Sequence, residues 1–289
     1  MSAQRHHIKV LILTSETAAN VWLVNRLLAQ FQVVGIVIER RPQAVTKQEK
    51  YERRRRMIKR YGLGRTLNKL LYNWLRSRVL AGSFADIIRD QFFPGNAEVK
   101  YVRSVESVTV GNINDAACVE FIKRQAPDVL AVCGTTVIRQ EVFSLPQRGA
   151  VNIHTGITPD YRSADPIFWA LYCNEPEKVG VTIHFVDKGI DTGPIIHQER
   201  VPVYRGDTLT TLYMRCIHRG AELFLRALAE IEAGSVQTVD RSSVTNRAFY
   251  SIDLGVLQFL IFQWRFRKLS ARLPRQPPAV TSQAAETKE

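Results

Sequence analysis

The 289-residue chain lacks a cysteine framework: Cys118, Cys133, Cys173 and Cys216 stand singly in apolar or mixed runs. That spacing excludes a disulfide scaffold and a CxxC metal knuckle, and it leads us to expect reduced core thiols. A continuous apolar run of the roughly 18 residues needed to cross a bilayer is also missing. The opening "MSAQRHHIKVLILT" has no apolar stretch before its first strand-like segment, which argues against a secretory leader and for a cytoplasmic location. No internal repeat is visible. The turn after the first strand-like run reads "TSETAAN" rather than GxGxxG, so a nicotinamide or flavin held on a glycine-rich turn is not expected. Acids are scarce in two places. Between Glu39 and Arg89 basic residues far outnumber them, and the segment Leu254 to Leu273 carries Arg265, Arg267, Lys268 and Arg272 with no acid at all. The net charge of +13 therefore belongs to appendages and describes their partners, while the central region is near neutral.

What remains is 45% hydrophobic and 23% charged, enough to bury one sizeable core. "IKVLILT" (8–14) and "VVGIVIE" (33–39) are short apolar runs suited to strands covered on both faces. Val21, Val24, Leu27, Leu28 and Phe31 between them have helical spacing. The pattern recurs as a helix from Asp115 to Gln125, then strands at 128–134 and 149–154. This is an α/β pattern, and it predicts a doubly wound, mostly parallel sheet with ligands at the carboxyl ends of its strands. A basic helical insertion over about 40–95 would interrupt it, with helices at "EKYERRRRMIKR" and at 66–80, where Leu67, Leu70, Leu71, Trp74, Leu75 and Val79 share a face. The expected organisation is a catalytic domain over 1–205, a helix with its connection over 206–250, a basic amphipathic helix over 251–273 and a disordered tail over 274–289. Within the second of these, Asp207 is the expected cap of a long helix ending at Gly234.

The chemistry gathers in "GAVNIHTGITPDYRSADPIFWAL" (149–171) and "VTIHFVDKGIDTGPII" (181–196). Asn152 and His154 are two apart at a strand end, so both side chains project from one face. Asp191 lies between Gly189 and Gly193 in a loop able to present a carboxylate. An amide, an imidazole and a carboxylate could serve acyl transfer to an amine that attacks a carbonyl itself, with no protein nucleophile. Phe168 and Trp169 read as core. His184 and His197 form no close HxH or HxxxH pair with His154, so no metal is expected. Arg162 could clamp an anionic group or fix its loop.

These residues resemble the catalytic core of the folate-dependent formyltransferases, closely over about 128–200 and loosely in the flanking βαβ pattern. The resemblance implies a Rossmann-like formyltransferase fold and 10-formyltetrahydrofolate as formyl donor. It also implies a primary amine on a small acceptor, such as an amino sugar on a nucleotide or lipid carrier. Asn152, His154 and Asp191 match the catalytic triad. The stretch Cys133, Gly134, Thr135, Thr136, Val137 and Ile138, with Val186, Asp187, Lys188, Gly189 and Ile190, matches the walls of the folate pocket. Tyr161 and Arg162, from the P-x-Y-R element, match acceptor contacts. The chain departs from the pattern at Ser163, commonly glycine, and at Gly156, commonly serine.

The members acting on methionyl-tRNA carry a C-terminal β-barrel, whereas the residues after Gly206 read as helix and tail, so tRNA is not the expected acceptor. The aromatic-aliphatic run "LGVLQFLIFQWRFRKLSARL" with its basic end would suit the inner face of an anionic membrane. Packing on the sheet, or on a second subunit in a homodimer, is the alternative.

Overall fold

The computed structural model describes residues 7–40, 46–95, 97–240 and 247–277. The first crossover follows the sequence closely. Strand β1 (Lys9–Thr14) leads into helix α1 (Ala18–Gln30), whose N-terminus is capped by the Thr17 hydroxyl accepting from the Asn20 amide, and β2 (Gln32–Glu39) returns parallel to β1. Three helices fill the insertion. A capping box between Thr46 and Glu49 starts α2 (Lys47–Tyr61), and α3 (Leu63–Leu75) and α4 (Ala81–Phe92) follow. The helix expected over 66–80 is α3 continued without a gap by a π-helical turn at Arg76–Leu80, which leads straight into α4.

The chain then re-enters the sheet through β3 (Ser107–Val110), α5 (Ala116–Gln125), β4 (Val129–Cys133), the single-turn α6 (Gln140–Phe143) and β5 (Ala150–His154). Next come a short strand β6 (Tyr161–Ser163), α7 (Pro166–Tyr172), then β7 (Gly180–Phe185) and β8 (Ile195–Arg200). The long α8 (Leu209–Ala233), β9 (Arg247–Phe249) and α9 (Val256–Ser270) complete the described chain. The main sheet has the order β3-β2-β1-β4-β5-β7-β8; its first five strands run parallel, β7 runs antiparallel to them, and β8, antiparallel to β7, runs with the first five. This is the expected doubly wound α/β architecture. Strands β6 and β9 form a separate two-stranded sheet that the short, polar runs did not announce, and Ser163 is paired there with Phe249.

Alternation along each strand divides the core. Val10, Ile12, Val129, Ala131, Val151 and Ile183 point to the side covered by α1 and α8, while Leu11, Leu13, Leu130, Val132 and Ala150 point to the side covered by α5. The cap of α8 differs from expectation. Thr208 takes that role, accepting from the Thr211 amide, and Asp207 instead accepts from the Tyr204 amide at 2.7 Å and from Arg215 at 2.8 and 2.9 Å. Burial disfavours the Asp207 carboxylate, but the Arg215 fork and the backbone donor outweigh it and hold the group below its ordinary 3.8.

The appendages dock through aromatic groups. Phe92 of α4 packs on Trp22 of α1 at 4.9 Å and on His218 of α8 at 5.0 Å, and Phe262 of α9 meets Phe168 of α7 at 4.7 Å. Phe168 and Trp169 are core, as expected. The basic helix thus packs on the domain through one face. Of the tail expected over 274–289, residues from 278 onward lie outside the described residues. Among the described residues no helix is long and apolar enough to cross a membrane.

Candidate active site

Antiparallel pairing of β5 with β7 sets Asn152 opposite His184 and His154 opposite Thr182. Alternate residues of paired strands share a face, so these four side chains rise together from the sheet. The loop between β7 and β8 brings in the acid. Asp191 adopts a left-handed conformation (φ 51°), and its carboxylate lies 3.6 Å from His154 Nδ1 and 3.5 Å from His184 Nε2. His154 is 8% exposed and His184 only 2%.

The ring contacts place the protons. His154 Nε2 is 3.0 Å from the Tyr161 carbonyl oxygen, which can only accept, so that nitrogen carries hydrogen and Nδ1 faces Asp191. His184 Nδ1 likewise donates to the Phe185 carbonyl at 2.8 Å, leaving Nε2 toward the Asn152 amide at 3.2 Å and toward Asp191. One carboxylate therefore bridges two imidazoles, and the second also orients Asn152. His184 was weighed in the sequence only as a metal ligand. Its available signal was the polar alternation Thr182, His184 inside an otherwise apolar strand. Glu39 was missed altogether. It is 5% exposed and accepts from the Ile113 amide (3.0 Å), the Thr136 amide (2.7 Å) and the Thr136 hydroxyl (2.6 Å), pinning the loop after β4.

The two loops matched to folate walls come together through Ile138 and Val186, which share one apolar cluster. Their main-chain groups lie largely outside the sheet ladders, and Val137 is 61% exposed beside them. Gly134, at φ +73°, turns the chain next to Asn20. Thr135 is half-buried, and Gly189 and Thr192 both donate to Asp187, which stiffens the segment containing Lys188 and Ile190. Two side chains of the first loop belong to the core. Cys133 ends β4 fully buried, its thiol pushed up by desolvation, and Ile138 supports the loop from the core.

Tyr161 is also corrected. Its ring is fully buried and stacked on Phe249, and its hydroxyl donates to Glu175, so its part in the site is the carbonyl that holds His154. Arg162 Nη1 lies 3.4 Å from the Ile190 carbonyl and so tethers the acidic loop. Gly156 has a local reason. A Cβ there would sit 2.6 Å from His154 Nε2 and 2.5 Å from Pro166 Cβ, so a serine at this position would displace the His154 ring or α7.

The family model described as formyl transferase matches residues 95–228. A methionyl-tRNA formyltransferase of Methylacidiphilum infernorum (isolate V4) is 36% identical over 133 residues, 46% of this chain and 41% of that protein. The chain spans about half the length of the curated relatives it matches. Two solved structures share the fold. Glycinamide ribonucleotide transformylase 1 from Symbiobacterium toebii gives a TM-score of 0.55 at 20% identity, covering 83% of this chain and 98% of its own. A sugar N-formyltransferase from Shewanella sp FDAARGOS_354 gives 0.55 at 17% identity, covering 90% and 88%. The segment 95–228, which carries Asn152, His154 and Asp191, is thus similar to the formyl transferase family, on a doubly wound sheet of the same fold as these structures.

Proposed function

We propose that the protein transfers a formyl group from 10-formyltetrahydrofolate to a primary amine of a small acceptor, an amino sugar carried on a nucleotide or lipid. The observation that carries this reading is the convergence of Asn152, His154 and Asp191 on one face, with the carboxylate within 3.6 Å of both imidazoles. The folate supplies a formyl group already bonded to nitrogen, so the exchange is one C–N bond for another. Asn152 would donate to negative charge developing on the formyl oxygen, joined by His154 once its Nε2–H turns from the Tyr161 carbonyl to the substrate. Asp191 would hold His154 in place, take up the proton that the amine loses as it attacks, and pass it on to the folate nitrogen as the old C–N bond breaks. The loops 134–138 and 186–190 would hold the folate. The near-complete burial of His154 and His184 keeps water from competing with the amine.

The test offers 10-formyltetrahydrofolate with a panel of nucleotide-linked amino sugars, following tetrahydrofolate release and the formamide product by mass spectrometry. Product from at least one amine, abolished in His154→Asn, is the expected result. Equal release by wild type and His154→Asn would sink the reading.

A second reading has its own support. The curated relatives are named methionyl-tRNA formyltransferases, and every residue from Lys50 to Arg56 of α2 is exposed, the Arg53–Arg56 run included. Formylation of an aminoacyl-tRNA would then use α2 as its phosphate-binding surface. Binding of methionyl-tRNA that weakens linearly in log[salt], and is lost when Arg53–Arg56 become alanine, favours it over a small acceptor.

A further inference from the structure

A cavity of about 590 Å³ lies between α3, α4, α7, the start of α8 and α9, and it reaches the catalytic strand end at Thr155, the residue after His154. Pro166, in its wall, and His154 both lie within 3 Å of the point a Gly156 side chain would occupy, so cavity and catalytic ring meet at this glycine. The walls are chiefly aromatic and aliphatic: Phe84, Ile87, Phe168, Tyr213, Phe259 and Phe262. The charged lining residues are Arg76 and Asp165, both exposed, and Asp207, which is buried and paired with Arg215. The volume suits a ligand (sites run roughly 300–1,000 Å³), yet the lining offers little to a sugar or a nucleotide base and much to a hydrocarbon.

The helices that build this cavity are also apolar on their other side. Tyr72 of α3 faces inward, while Leu63, Leu67, Leu71 and Trp74, at helical spacing, are each half exposed or more. Phe259 and Phe262 of α9 face inward, while Leu257, Leu260 and Trp264 are 58–59% exposed. A helix apolar all round is stable where both sides meet something apolar. The two exposed tryptophans each carry a cation on the ring, Arg78 over Trp74 at 5.8 Å and Lys268 over Trp264 at 3.7 Å. Amphipathic rings beside basic side chains match the boundary of an anionic bilayer, whereas two copies meeting through these faces would bring like charges together. The net charge of +13 acts in the same direction.

We propose that the acceptor amine is carried on a lipid: the aromatic cavity takes its hydrocarbon chain, and the outer faces of α3 and α9 rest on the anionic membrane that holds it. The proposal relies on the formyl-transfer reading only for the head group. The chain enters beside Thr155, the amine reaches His154 and Asp191, and Arg76 faces the anionic linkage between them.

Farnesyl phosphate is the probe, titrated into the full chain by calorimetry with inorganic phosphate as control, and the same protein is sedimented with phosphatidylglycerol–phosphatidylcholine vesicles. Farnesyl phosphate should saturate and phosphate should not. Thr210→Trp, which fills the cavity from α8, should weaken farnesyl phosphate by roughly tenfold or more, and Ile87→Glu, at a partly exposed wall position, should do the same if the first variant folds poorly. Both should retain tetrahydrofolate binding. Vesicle binding should fall with salt and be lost in Leu67→Glu/Leu260→Glu. Equal affinity of wild type and both cavity variants, or a chain that ignores vesicles and dimerises through the two stripes, overturns the proposal. Formyl transfer to a soluble amino sugar without farnesyl phosphate binding also overturns it, and leaves the formyl-transfer reading standing. Farnesyl phosphate binding that meets all these criteria, without formyl transfer to any amine, supports the cavity assignment and overturns the formyl-transfer reading instead.

Discussion

At the end of β5 the protein buries polar groups, and beyond the adjoining cavity, on the outer faces of α3 and α9, it exposes apolar ones. His154 and His184 are 8% and 2% exposed, and each ring nitrogen is turned to a partner. Trp74 and Trp264 are 54% and 59% exposed, with only a basic side chain for cover. Both arrangements cost stability in a free, water-bound chain, because a buried polar group needs its partners and an exposed apolar one gains nothing from folding. The difference lies in where compensation comes from. The catalytic face is satisfied from within, by strand pairing and the Tyr161 and Phe185 carbonyls. The helical face is left exposed among the described residues.

The sharpest way to break this contrast is to remove the internal partners. His154→Asn should lower turnover by about 10²–10³, the range for one lost oxyanion donor, and Asp191→Asn by about 10²–10⁴ because proton transfer goes with it. Tetrahydrofolate affinity should hardly change in either. Turnover near wild type in both would show that the cluster is structural. Next in size is the inner face of α9. Phe262→Ala should destabilise the fold by about 3–5 kcal/mol in urea unfolding, since Phe262 is 2% exposed against Phe168. A loss below 1 kcal/mol (about the cost of a typical mutation) would mean that α9 is not docked.

Gly156→Ser sharpens the catalytic side. The added Cβ collides with His154 Nε2 and Pro166, so an overpacking cost of about 1–3 kcal/mol and reduced turnover should appear together, measured on one preparation. Acid should then separate α4 from the sheet. His218 sits against Trp22 and Phe92, and burial first, then Arg26, lowers its pKa from 6.5 against the opposing pull of Glu222. The unfolded chain binds this proton more readily, so the stability is present above about 6.5 and lost as pH falls through the folded value. Tm measured between pH 7 and 5 should decline less in His218→Gln than in wild type, and parallel curves would reject the role. The smallest effect belongs to the outer face. Leu71→Gln should change stability by less than about 0.5 kcal/mol, and a large loss there would mean the stripe is covered within the monomer.

Much of the first region could be read from the chain. Asn152 and His154 are two apart on a buried strand, which is sufficient to put them on one face, and the glycines around Asp191 marked a loop able to carry an acid. His184 and Glu39 were not legible as site residues, because each acts through a partner remote in sequence: Asn152 and Asp191 for one, Thr136 and Ile113 for the other. Tyr161 was misplaced for a related reason. A motif shows which residues are grouped but not which atom is used, and here the carbonyl serves His154 while the ring serves the core. The short strands β6 and β9 carry no periodic signal, since three residues pair only because the fold brings them together.

By itself, then, the sequence determined the βαβ succession, the polar pair at the end of β5, and the placing of positive charge in appendages, because all of these depend on local periodicity and composition. Tertiary structure alone decided that β7 runs antiparallel to β5, which brings His184 and Asp191 to His154. It also decided which face of α3 and α9 is left outside. Strand order and helix rotation are set by long-range packing, and a hydrophobic pattern has the same appearance in sequence whether it will be covered by its own chain or by a partner.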